Sequence, residues 1–136
     1  MSQENVEIVR GIYREWGHGN FREGTELFDP HVLLVLRPEF SLASGEGVYC
    51  GPDEIARYMR EIFLPEGEGL VIGGDEFVDA GDSVVVHVHQ HGTGRQSHAF
   101  GELRYFQVWT FRGRSVIRIE SVMERADALE AVGLSE

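Results

Sequence analysis

The sequence His87-Val88-His89-Gln90-His91 offers the most concentrated chemistry in the chain. Residues two apart on a strand project from one face, so imidazoles at this spacing can chelate a zinc-like ion. A complete site needs a third ligand and groups that orient the rings, and on the neighbouring strand only Glu102 could serve. The plainer reading is a polar outer face or a dimer contact, and the expectation is no metal. Proton-transfer candidates are His31, Glu39 and Glu46, with Tyr13 and Tyr58 as phenols. A loop glutamate folded over an apolar mouth would have a raised pKa and could act as a base. Loop acids in so acidic a chain are more often simply solvated. Cys50 is the lone thiol and has no evident His partner in sequence. Gly92, Gly94 and Gly101 lack the strand–loop–helix context of a phosphate loop.

These residues need elements to position them. Val6, Ile8 or Val9, Ile12, Tyr13 and Trp16 keep a 3.6-residue stripe, predicting a helix from a Ser2 cap to about Gly17. A short second helix is expected at about Phe21–Phe28, ended by Asp29-Pro30. Val32–Leu36 reads as a strand covered on both faces. Arg37–Gly51 reads as loop. Pro52-Asp53-Glu54 opens a helix to Pro65, with proline in the first turn and acids at the positive end of the dipole. The period then changes to two. Strands are expected at Leu70–Asp79, Ser83–His91, Ala99–Phe111 and Val116–Met123, with a turn at Gly92–Gly94. A last helical turn or two follows at Ala126–Val132. Helices segregated from a long antiparallel meander mean an α+β fold.

Alternation assigns faces. Leu103, Tyr105, Gln107, Trp109 and Phe111 are one parity, nearly all apolar, and should look inward. So should Val84, Val86, Val88 and Gln90, which sends His87, His89 and His91 outward. On the last strand Ile117, Ile119, Ser121 and Met123 are the inner set. The inner surface is then mostly hydrocarbon, with Gln90, Tyr105, Gln107 and Ser121 as its polar points. That suits a small hydrophobic ligand. Tyr13, Trp16, Tyr58, Val86, Val88 and Trp109 complete the expected lining. Gln107 is the expected orienting donor, so Gln107→Leu should weaken binding without unfolding the chain.

The 136 residues make one domain, 1–136, with 42% hydrophobic and 26% charged residues. All twelve cations are arginine, against 23 acids, for a net charge of −11. Neither half is basic, so a nucleic-acid or anionic-membrane partner is not expected. One cysteine excludes an intrachain disulfide, and no apolar run approaches the roughly 20 residues of a membrane span. Met1–Asn5 lacks the pattern of a secretory signal, which gives a cytoplasmic expectation.

Tyr13 and Trp16 before Gly19-Asn20, then Tyr49–Ile55, Val108–Gly113, Val116–Ser121 and Ala128–Leu134, taken in order, resemble the SnoaL-like branch of the NTF2-like superfamily. The resemblance implies an NTF2-like cone: a curved antiparallel sheet whose concave face is covered by three helices, with a pocket at its mouth. It also implies a homodimer and, for an enzyme, cofactor-independent acid–base chemistry on a ketone or polyketide-like substrate. The alternative is a non-catalytic dimeric interaction or accessory domain. Ketosteroid isomerases of that superfamily use a strand carboxylate as base, with a tyrosine and an acid as oxyanion donors. Aligned on Gly19-Asn20, the tyrosine position falls at Ile12 and the base at Leu36 or Arg37. The acid falls at Gln107, an amide that can donate but cannot move a proton at neutral pH. The acid cluster of an epoxide hydrolase is missing too, because the inner parity holds no carboxylate.

Overall fold

A computed structural model describes residues 2–18, 20, 25–36, 47–94 and 100–134. Helix α1 (Ser2–Trp16) forms as its stripe predicts: Val6, Val9, Ile12, Tyr13 and Trp16 are buried while Glu4, Arg10 and Arg14 are exposed. Strand β1 (Phe28–Leu36) follows a 3-10 turn at Thr25–Leu27. The helix expected at Phe21–Phe28 is therefore absent from its described part, where Phe28 already starts the strand. The loop expected at Arg37–Gly51 holds a short strand, β2 (Val48–Cys50), antiparallel to β1; residues 37–46 lie outside the described set.

Helix α2 (Pro52–Glu66) is launched from Gly51, whose φ of +90° favours glycine. Glu54 reaches back to accept the N–H of Cys50, the residue before that glycine, at 2.8 Å. The remaining strands are β3 (Gly67–Asp79), β4 (Ser83–Gly94), β5 (Phe100–Arg112) and β6 (Ser115–Val122), and helix α3 spans Arg125–Ala131. The β4–β5 ladder continues through Gly92 and Thr93, so the residues expected to turn at Gly92–Gly94 are strand instead.

The six strands form one curved mixed sheet in the order β2-β1-β6-β5-β4-β3. Only β1 with β6 is parallel. The sheet is sandwiched between two apolar layers. One holds the α1 stripe, Ile55 and Met59 of α2, and the inward residues Val84, Val86, Val88, Trp109 and Ile119. On the other face α3 packs Ala128 against Val85, Phe106, Val108 and Val122. Two helices thus cover the inner face and the third covers part of the outer one.

A bulge between β5 and β6 corrects one assignment. Thr110 pairs with Arg118 but Phe111 with Val116, so Ile117 is the extra residue. Val116, not Ile117, enters the inner core with 0% exposure.

Candidate functional site

Alternation placed β5 correctly. Tyr105, Gln107, Trp109 and Phe111 are all buried on the inner face. Leu103, of the same parity, is 36% exposed opposite Gln90, toward the end of the ladder away from the β5–β6 turn. Trp109 is the centre of a ring cluster. Its centroid lies 5.7 Å from Tyr13, 5.7 Å from Trp16 and 6.1 Å from Phe28, in tilted and edge-on contacts. Rings fill this end of the core.

Within it runs a chain of hydrogen bonds whose direction is fixed by donor chemistry. The indole Nε1 of Trp109 can only donate, and it lies 3.2 Å from Tyr13 Oη. Tyr13 must therefore accept there, and its own proton goes to Gln107 Oε1. That leaves Gln107 Nε2 to donate to Ser121 Oγ at 2.9 Å. The relay Trp109→Tyr13→Gln107→Ser121 ties β5, α1 and β6 together. It also corrects the alignment with isomerases: the phenol facing Gln107 belongs to Tyr13, while Ile12 is a buried core residue and Leu36 is buried hydrocarbon. With Gln107 in this relay, Gln107→Leu is expected to cost stability as well as binding.

A second polar group lies beside the first. Tyr105 Oη donates to Gln90 Oε1 at 3.1 Å. Tyr58, half-buried on α2, packs its ring on Tyr49 of β2 with centroids 4.5 Å apart. Its phenol is close enough to Tyr105 to influence its ionisation. Val88 pairs with Tyr105 and Val86 with Gln107, giving both groups an apolar backing. Of the ten expected lining residues, Tyr13, Trp16, Gln107, Trp109 and Ser121 thus form the packed relay and ring cluster. Tyr58, Gln90 and Tyr105 form the second group. Tyr49 was missed, since a three-residue strand beside a glycine turn carries no readable alternation. Asn5, a buried polar residue on α1, was also missed.

Among the described residues the buried polar set besides tyrosines and tryptophans is Asn5, Gln107 and Ser121, with no carboxylate and no imidazole. His31 is exposed, its backbone N–H held by Asp29 at 2.8 Å. Glu39 and Glu46 lie outside the described residues. The histidine stripe is on the opposite face. His87 stacks on Phe106 at 4.7 Å, and His89 bonds Glu102 at 3.0 Å, which holds that carboxyl below its ordinary range. Among the described residues no three His, Cys, Asp or Glu side chains are grouped to hold a metal. No described helix is long and apolar enough to cross a membrane.

The sequence matches the model of the SnoaL-like domain over residues 9–119. The chain belongs to the SnoaL-like family. Solved structures with the same fold include an NTF2-like protein from Burkholderia thailandensis E264, 24% identical over 90% of this chain and 95% of that one, with a TM-score of 0.76. An NTF2-like protein of unknown function from Burkholderia pseudomallei K96243 is 19% identical over 95% and 97%, with a TM-score of 0.75. A protein provisionally assigned as a SnoaL-like polyketide cyclase, from Jannaschia sp. CCS1, is 16% identical over 99% and 95%, with a TM-score of 0.73. No curated protein sequence matches the chain.

Three tyrosines of this SnoaL-like chain titrate late. Burial pushes Tyr13 and Tyr105 well above the usual phenol range, and burial with the Tyr49 phenol beside it pushes Tyr58 up to about 12. All three remain donors at neutral pH. Below pH 10 both folded and unfolded chains keep these protons. Above it the unfolded chain releases protons that the folded one retains, so stability falls by up to about 1.4 kcal/mol per pH unit for each residue. Urea midpoints should be flat between about pH 8 and 9 and drop steeply toward about pH 11.5, with Tyr58→Phe shallower. An unchanged midpoint across that range would contradict the described burial.

Proposed function

We propose that this protein binds a small, neutral, largely apolar molecule at the Tyr58–Tyr105–Gln90 group. The observation that carries the reading is Tyr58: a half-buried phenol that keeps its proton beside buried Tyr105, over an apolar floor. Apolar walls with a few directional donors are the usual composition of small-molecule sites. Gln107 retains one amide N–H beyond its Ser121 bond and backs the same floor. A neutral acceptor such as a ketone oxygen is the matching functional group, because the Tyr58 phenol and the Gln107 amide can donate while, among the described residues, no buried cation is there to pair an anion. Binding is the better-supported activity. Acid–base turnover would need a base from His31 or from Glu39 or Glu46. We also propose a homodimer in the cytoplasm as the working form.

Trp16 and Trp109 lie in the same core layer and report on the site by fluorescence. Titration with a panel of neutral aromatic ketones should give saturable quenching, and Tyr58→Phe should weaken it roughly tenfold with the unfolding midpoint at neutral pH unchanged. Absence of saturable binding across the panel, or indifference to Tyr58→Phe, would overturn the reading. Sedimentation at micromolar concentration should show a dimer; a monomer would refute that part.

A further inference from the structure

We propose a second site, for an organic anion, in the groove between α1 and β3. The groove has a volume of about 430 Å³, and its ionisable lining is Arg10, Tyr13, Arg14 and His18, with no acid. Spacing by four places Arg10 and Arg14 on one strip of α1, and His18 continues it in the following turn. All three are exposed. In a chain of net charge −11 such a strip is a local reversal of sign.

The two arginines differ from five others among the described residues. Arg104, Arg112, Arg114, Arg118 and Arg125 each pair with a carboxylate. Arg10 and Arg14 pair with none among the described residues. Arg10 instead sits over the Phe77 ring, 4.7 Å from its centroid. A cation held by a ring face keeps its N–H donors for another acceptor. The ring is itself held in place. A Cβ at Gly74 would stand 2.4 Å from Phe77 Cζ, so glycine there is what lets the ring lie across the strand beneath Arg10. Gly73, whose Cβ would meet nothing within 4 Å, leaves the adjoining wall bare.

This arrangement fits a carboxylate or phosphate carried on a small aromatic body: the guanidinium donors take the oxyanion, and the half-buried Phe77 ring offers an apolar surface. The site does not depend on the phenol group above, and its test separates them. Isothermal titration at low salt would use benzoate, phenyl phosphate and, as the neutral control, benzyl alcohol. Saturable binding of either anion and none of the alcohol is expected, and the stronger anion identifies the headgroup. Arg14→Gln should weaken binding at least tenfold, Arg14→Lys should restore part of it, and Gly74→Ala should weaken it by displacing Phe77. Arg57→Gln, outside the groove, should leave anion binding unchanged. No saturable anion binding, equal binding of the alcohol, or indifference to Arg14→Gln would overturn the proposal.

Discussion

Trp109→Ala lowers the stability of the fold by about 3–5 kcal/mol, read as a shift in the urea midpoint at unchanged slope. The indole has 0% exposure and touches the rings of Tyr13, Trp16 and Phe28, so its removal leaves a cavity that three aromatic planes cannot close by small shifts. It also deletes the donor to a buried phenol. Trp109→Phe separates the two effects. It keeps most of the ring contact and loses the N–H, so it should cost only about 1–2 kcal/mol. A cost under about 1 kcal/mol for the alanine variant would mean that the cluster is not packed as described.

Gln107→Leu should cost about 2–4 kcal/mol, because it abandons two buried partners at once. Tyr13 loses the acceptor for its proton and Ser121 loses its donor, and neither is near enough to solvent to recover. The double variant Tyr13→Phe with Gln107→Leu should cost clearly less than the sum of the two single changes, since the orphaned hydroxyl is gone. Additive costs would show that the relay is two unrelated contacts. Gln107→Glu offers a further comparison: the shape is retained, and burial should keep the new carboxyl protonated as a donor.

Much of this is legible in the sequence alone. The α1 stripe and the β5 alternation rest on side-chain periods that burial enforces locally, so Trp16, Tyr105, Gln107 and Trp109 fell on the expected face. The outward turn of His87, His89 and His91 followed from the valines between them. What failed lacked such a period. Val116-Ile117 is apolar at both positions, so nothing in the pair announces which residue the bulge expels. Val48–Cys50 is too short to show alternation, and its pairing to β1 is a tertiary choice. The parallel β1–β6 contact joins segments some eighty residues apart, and no local pattern encodes it. The roles of the site residues were the least legible. Side-chain direction can be read from parity, whereas the partner of each polar atom depends on distances across three elements.

The relay has a chemical polarity that cannot be reversed while its first member is tryptophan. An indole has no lone pair to offer in the ring plane, so the proton order along the wire is locked from that end. A guest reaching Tyr13 would meet an oxygen whose hydrogen is already spent, and could engage it only by giving one of its own. At that one oxygen an alcohol would be preferred to a carbonyl, whereas the ketone oxygen of the proposed ligand is left to the Tyr58 phenol and the remaining N–H of Gln107.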